Sequence, residues 1–552
     1  MTIRRSLILD TILLGVVGAL SARVFMFLLN LFTSLFLTHL AGYQAPALLD
    51  ARPSEQIIGS HWLWLVPLAT TIGGLVSGVL VYSLAPEAEG HGTDTAVRAF
   101  HRTAGLIRAR VAPLKAVASA ITIGSGGSAG REGPIALIAA GVGSIYATLT
   151  RRSEKERRLL VLVGMASGLA AIFRSPIGTA IFAIEVLYSE MAFDTGALLY
   201  TMLGSVTAYA VNGLFVGWQP LFVVPSKLGP TGFGDYFWYA FLGLLAGPVA
   251  TLVPMVFYRV RDAFHAIPIP PHLKPAIGGL GVGLLALGLP QVLGGGYGWI
   301  QEAIDGRLAM GTMLILVFAK LLALALTVSS GGSGGVFAPS LFVGAMLGGF
   351  LADVFHMPAA AFAVVGMAAV FGGAARIPIA TLLMVTEMTG GYNLLVPAAL
   401  AVMLSHLVQN RLSRDLRYKS LYEAQVPGPP DSPAHRAEHL SAALEILQRG
   451  RVPSGESLPH PSLLSLLDSG IAVDLPGGGQ LISGVLRADS ECVGKPLRST
   501  CLAGDDPDVE LVAVLRPGET RLPHSGDRFR AGDRVLMVVT GSSKETISRH
   551  FE

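Results

Sequence analysis

Glu132 stands in GSGGSAGREGP, Gly124 to Pro134, and that segment recurs 205 residues later as SSGGSGGVFAP, Ser329 to Pro339, with six of eleven positions identical and Phe337 opposite Glu132. Gly and Ser leave the backbone amides of both loops bare, and each loop ends in Pro just ahead of a long apolar run. A helix N-terminus presents unpaired N–H groups and roughly half a positive charge, so two such loops aimed at one place describe an anion site. A carboxylate at one of them can occupy the anion's own position. Protonation removes its charge and lets the side chain leave, which makes Glu132 a gate that links anion occupancy to protons. An ionisable residue among apolar segments costs at least about 2.5 kcal/mol unless it has a role or a partner, and its neighbour Arg131 is the alternative explanation as a simple partner.

The elements that carry these loops are membrane spans. The chain has 552 residues, of which 52% are hydrophobic and only 14% charged, with 66 Gly; this composition excludes an ordinary soluble domain. Apolar runs long enough to cross a bilayer core occupy 8–36, 61–84, 132–149, 158–187, 196–216, 235–258, 309–328, 335–355 and 394–410. A second repeated stretch, AIFRSPIGTAIFAIEV (171–186) against GAARIPIATLLMVTEM (373–388), pairs Arg174 with Arg376, Pro176 with Pro378, Thr179 with Thr381 and Glu185 with Glu387. Two halves with the same interrupted elements in the same order point to a transport site at the bilayer midplane.

Lys and Arg cluster in 98–115, 151–158, 259–274 and 411–419, and the positive-inside rule then puts both termini in the cytoplasm. Cys492 and Cys501 are expected as free thiols in that reducing compartment. The net charge of +3 is the sum of these loops and implies no nucleic acid partner. No metal-ligand spacing, phosphate loop or nucleophile elbow occurs, so neither a metal nor a cofactor is expected, and the chain reads as a transporter and not an enzyme.

GREGP, GGVFAP and the late LY of KSLYEAQ, in that order, closely resemble the CLC family of chloride channels and chloride/proton antiporters over residues 8–426. The resemblance implies an all-α polytopic membrane fold, a CLC-type inverted repeat of broken and tilted helices, with repeat halves at about 8–216 and 235–422 inside a transport domain of 1–426. It implies a homodimer in the cell membrane, embedded in lipid, with one pore per subunit. Glu132 matches the external gate, flanked by Arg131 and Gly133. Val336 and Phe337 match the residues whose amides hold the central anion, and Tyr422 the tyrosine whose hydroxyl donates to it.

Two positions depart from the family pattern. The inner motif, usually GSGIP, is here GHGTD, with His91 in place of the serine. His91 either donates an imidazole N–H to the anion or turns back to bond backbone, and Asp94 reads as a cap or first-turn residue of the next short helix. The antiporters usually carry two glutamates in succession in the repeated helix, but here Glu185 is followed by Val186. Glu185, mated with Glu387, is expected to be a structural residue with local hydrogen bonds. Asp94, Glu185, His91 and Glu190 remain as candidates for a proton path. The expected activity is therefore channel-like or weakly proton-coupled movement of chloride or a similar anion, with chloride/proton exchange, fluoride export and a non-conducting ligand sensor as alternatives. GGGYGW (294–299) contains GYG but lacks the Thr-Val of a potassium filter and is expected as a Gly-rich turn.

Residues 427–480 read as a Pro-rich linker and a helical segment, with Leu440, Leu444 and Leu447 at helical spacing. From 481 to 552 a small cytosolic α/β module is expected. ISGVLRADSECVGKPL and AGDRVLMVV resemble the TrkA-C lobe of RCK regulatory units, which implies dimerisation and a small cytosolic ligand.

Overall fold

The structure is a computed structural model that describes residues 5–46, 63–190, 195–225, 228–230, 232–428, 432–433, 473–474, 480–487, 489–496, 509–516, 519–521 and 528–539. The chain divides into two compact units, Met1–Gln425 and Val426–Glu552.

The first unit is helical throughout. Its first half contains α1 (Arg5–Thr33), continued by a π-helical stretch Ser34–Leu40, α2 (Val66–Leu84), α3 (Thr93–Arg102), α4 (Val111–Gly124), α5 (Glu132–Leu149), α6 (Glu154–Phe173), α7 (Pro176–Glu185) and α8 (Thr195–Val216). The second half contains α9 (Phe233–Ala266), α10 (Lys274–Gly288), α11 (Tyr297–Ile304), α12 (Met310–Val328), α13 (Phe337–Phe355), α14 (Ala359–Ala375), α15 (Pro378–Thr389) and α16 (Leu395–Leu412). Among the described residues eight helices are long and apolar enough to cross a membrane.

One expected span is two helices. The apolar run 158–187 breaks where Arg174, at φ 55°, closes α6 in the left-handed region two residues before Pro176 opens α7. Its mate Arg376, at φ 57°, closes α14 before Pro378 opens α15 in the same way. Hydropathy alone reads through such a break, because a left-handed cap needs no polar residue.

The two halves are related by inversion. The carboxylate of Glu185, at the C-terminal end of α7, accepts from the first-turn amides of α15, and the carboxylate of Glu387, near the C-terminal end of α15, accepts from those of α7. Each helix therefore ends where the other begins, so the pair is antiparallel. The same relation recurs at the opening motif, where Gly130 and its mate Gly335 exchange backbone hydrogen bonds of 2.7 Å in both directions as an antiparallel bridge. A pseudo-two-fold axis passes between these residues.

Small residues let the helices cross backbone to backbone, the usual membrane solution where lipid supplies no hydrophobic drive. Gly143 packs on the Leu160 carbonyl and Gly164 on that of Ala139; their mates Gly348 and Gly366 pack on Phe362 and Gly344. The α13–α14 pair is buried almost all round and forms the middle of the unit.

In the second unit, β1 (Val473–Asp474), β2 (Gln480–Val485), β3 (Val509–Arg516), β4 (Glu519–Arg521) and β5 (Arg534–Val539) form one antiparallel sheet in the order β1-β2-β5-β3-β4. Leu486, Val514, Phe529, Val535 and Met537 make its core, and Arg516 pairs with buried Asp533 through two hydrogen bonds of 2.7 Å. The helix expected around Leu440, Leu444 and Leu447 lies outside the described residues. Cys492 is buried and disulfide-bonded, which corrects the expectation of a free thiol at this position. Cys501 lies outside the described residues.

Candidate functional site

Three loops meet at the axis. The Gly130–Gly335 bridge places the first residue of α5, Glu132, and the first residue of α13, Phe337, on either side of one point. The third loop joins through Gly133, where an added Cβ would strike the His91 carbonyl and come within 2.9 Å of Gly335 Cα. Gly334 N–H donates to the Gly90 carbonyl at 3.1 Å. Backbone approach this close admits no side chain at Gly133 or Gly335, whereas Gly90 is required by its positive φ of 69°.

Glu132 is 1% exposed. Its carboxylate faces the backbone amides of Glu132 and Ala338, yet neither oxygen completes a hydrogen bond among the described residues. Arg131 Nε stands 3.9 Å from Oε1, and the guanidinium lies over the Tyr297 ring at 4.3 Å. Val336 caps α13, and Phe337 packs among Phe173 at 4.4 Å, Phe371 at 4.2 Å and Phe182 at 6.4 Å between ring centroids.

His91 lies beside Tyr422, the ring centroids 5.5 Å apart. Its Nδ1 accepts from the Asp94 amide at 3.5 Å, a long bond that assigns the proton of the neutral ring to Nε2. One nitrogen thus turns back to the backbone, the second of the two expected arrangements, while Nε2 is left as a donor. Asp94 sits in the first turn of α3, as expected, but its carboxylate has a further use: Oδ1 accepts from Ala424 N–H at 2.7 Å and Oδ2 from Arg98 at 3.3 Å. The Tyr422 segment is held from three more sides, by Tyr258 on the Leu421 carbonyl at 2.9 Å, the Ala374 carbonyl on Leu421 N–H at 3.0 Å, and Arg261 on Glu423 at 2.7 Å. A cavity of about 560 Å³ reaches His91 and Asp94 past Arg98, Arg261 and Glu423.

Glu132, Gly133, Val336, Phe337, His91 and Tyr422 therefore converge, with Arg131 beside Glu132. Glu185 and Val186 do not join them. Glu185 is fully buried, and its oxygens accept from Ile379 and Ala380 N–H at 3.1 and 2.6 Å. These bonds run to the opposite half and are not local, which corrects the expectation for this residue. Val186 is buried at 0% exposure, and Glu190 is exposed.

Two lysines differ from the sequence reading: Lys115, counted in the basic 98–115 cluster, is buried inside α4, and its mate Lys320 was not singled out. Lys115 and Lys320, 205 apart, are each 0% exposed. Lys115 Nζ donates to the carbonyls of Ala88 and Gly90 at 2.9 and 2.6 Å, and Lys320 Nζ to those of Val292 and Gly294 at 2.8 and 2.7 Å. The clamped loops are themselves mates: Gly90 and Gly92 have φ 69° and 83°, Gly294 and Gly296 φ 57° and 78°. GGGYGW is thus more than a turn, being the inverted counterpart of GHGTD. The signal was a lone Lys in each apolar run, nine residues ahead of the repeated motif.

Such an arrangement can desolvate a small anion, surround it with N–H and O–H donors, and bar its way with one carboxylate. Residues 73–410 match the family model described as voltage gated chloride channel. The chain is 32% identical over 349 residues to a putative chloride channel protein ClcB-like of Ralstonia nicotianae, covering 61% of this chain and 81% of that one. It is 30% identical over 386 residues to the H(+)/Cl(-) exchange transporter ClcA of Klebsiella pneumoniae, covering 66% and 80%. Among solved structures, a slow cyanobacterial Cl-/H+ antiporter superposes with a TM-score of 0.66 at 21% identity, over 76% of this chain and 97% of that one. A CLC-type fluoride/proton antiporter does so with 0.65 at 23%, over 76% and 98%. With the family model covering more than half of its length, and an inverted repeat closing on a site of helix N-termini, the chain belongs to the CLC family of voltage gated chloride channels and carries out CLC-type anion transport across a membrane.

Proposed function

We propose that the protein moves chloride, or a similar small anion, along a path gated by Glu132, with weak proton coupling or none. The observation that carries this reading is the use made of the repeated helix. Glu185 is committed to capping α15, and the next position, where the antiporters usually place a proton-carrying glutamate, is the buried Val186. In this reading Val336, Phe337, Gly133 and Tyr422 supply the anion's donors, His91 donates through Nε2, and Arg131 draws anions to the gate. The protein is a transporter without a cofactor and not an enzyme.

Chloride/proton exchange is the second reading, supported by the relatives named exchange transporters and by Asp94, which lines the cavity beside the Tyr422 segment. Fluoride export follows from the likeness to a fluoride/proton antiporter and the unusual His91. We further propose a homodimer in the lipid of the cell's inner membrane, both termini cytoplasmic, divided as 1–426, 427–480 and 481–552, with a TrkA-C-like module that binds a small cytosolic ligand.

The test is chloride flux from proteoliposomes with simultaneous proton recording and chloride, nitrate and fluoride in competition. Fast chloride flux with little proton movement is expected, and Glu132→Gln should remove its pH dependence. Uphill proton movement at a fixed ratio to chloride would overturn the weakly coupled reading in favour of exchange, and an unchanged pH dependence in Glu132→Gln would remove the gate.

A further inference from the structure

Four buried polar atoms beside the gate lack partners among the described residues: both carboxylate oxygens of Glu132, Arg131 Nε and the Tyr297 hydroxyl. Two are acceptors and two are donors. A buried group left unpaired costs about 1–3 kcal/mol, and native structures rarely keep several together without a use. Arg131 links them: its Nε is 3.9 Å from Glu132 Oε1 and its guanidinium carbon lies 4.3 Å from the Tyr297 ring centroid.

The donors are also held in place. Arg131 contacts Met26 Sδ through its other nitrogen at 3.7 Å, and the Tyr297 ring stacks with Phe222 at 6.1 Å. Tyr297 opens α11 directly after the loop clamped by Lys320. Its repeat mate is Thr93, the first residue of α3, which faces the Tyr422 hydroxyl at the opposite mouth. Inversion therefore assigns Tyr297 to the mouth away from Tyr422 and His91.

We propose that Arg131 Nε and the Tyr297 hydroxyl form the place that receives the Glu132 carboxylate when it leaves the anion path. Rotation of the Glu132 side chain brings its two oxygens, which complete no hydrogen bond to the nearby amides, to these two donors and shortens the 3.9 Å ion pair with Arg131. Tyr297 is then a positioning residue for the open gate. The inference rests on the reading of Glu132 as a gate.

Tyr297→Phe removes the hydroxyl and keeps the ring, its stacking and its volume. Arg131→Lys keeps the charge and removes the Nε donor. Each variant is compared in chloride flux with the parent and again in a Glu132→Ala background, with elution profile and thermal melting as checks on folding. The expected result is flux slowed about three- to tenfold in each single variant, the range of a hydrogen bond to a charged group only partly formed at the barrier. In Glu132→Ala, where there is no carboxylate to receive, the effect of either change should fall below twofold. Unchanged flux in both single variants overturns the proposal, as does equal slowing with and without Glu132, which would assign the donors to the permeating anion. If Glu132→Ala itself leaves flux and its pH dependence unchanged, the gate reading fails instead, so the two failures are told apart.

Discussion

Replacing Glu185 by Gln separates a structural carboxylate from a proton-carrying one. The first-turn N–H groups of a helix have no partners within the helix. For α15 two of them, from Ile379 and Ala380, are satisfied by Glu185 at 3.1 and 2.6 Å in a site with no exposure to solvent. Gln keeps one carbonyl oxygen but turns an NH2 group toward the second amide. The variant therefore loses one charge-assisted bond, about 2 kcal/mol. Ala loses both bonds and leaves two buried donors bare, about 4 kcal/mol by the same scale. Inversion supplies an internal control, since Glu387 accepts from Ile177 and Gly178 N–H at 3.2 and 2.8 Å and also from the Ser175 hydroxyl at 2.5 Å. Thermal unfolding in detergent should rank Glu387→Gln as at least as damaging as Glu185→Gln, and each Ala variant as worse than its Gln counterpart. In reconstituted flux, the proton-to-chloride ratio of Glu185→Gln should equal that of the parent. A Glu185→Gln protein with parental stability and an altered ratio would refute the reasoning, because the carboxylate would then carry protons and not cap a helix.

The buried lysines and Asp94 give two further outcomes. Lys115→Met and Lys320→Met should each lose about 3 kcal/mol in the same unfolding assay, since two buried carbonyls are left unpaired, and Lys115→Met should also raise the chloride concentration for half-maximal flux because its loop carries His91. Asp94→Asn keeps an acceptor for Ala424 N–H and should retain chloride affinity, whereas Asp94→Ala should weaken it several-fold by releasing the Tyr422 segment; loss of proton movement in both variants alike would instead mark Asp94 as a relay.

What the sequence made legible was the start of the two repeated helices: Glu132 and Phe337 open α5 and α13 because the Gly-rich approach and the following Pro are written in residue types. The misses share a different physical character. Arg174 ends a helix through a backbone angle, and the angle leaves no trace in hydropathy. The reciprocal caps of Glu185 and Glu387 join residues about 200 apart, so a reading along the chain sees two glutamates and assigns each to its own helix. Only inversion sets each at the N-terminus of the other's helix.

The loop at Gly294 shows how far that relation reaches. Its residues share little with GHGTD beyond two glycines, and the likeness rests on φ angles and on a lysine 26 to 28 residues away that clamps its carbonyls. Once the lysines are paired, the loop, the helix behind it and Tyr297 acquire positions by symmetry. The symmetry then fails in one informative respect: Thr93 pairs with a tyrosine hydroxyl, while the Tyr297 hydroxyl has no hydrogen-bond partner among the described residues. A path that were merely a duplicated scaffold would satisfy both ends. The unsatisfied end is the one that Arg131 joins to Glu132, and that coincidence ties the unpaired donors to the movement of the gate.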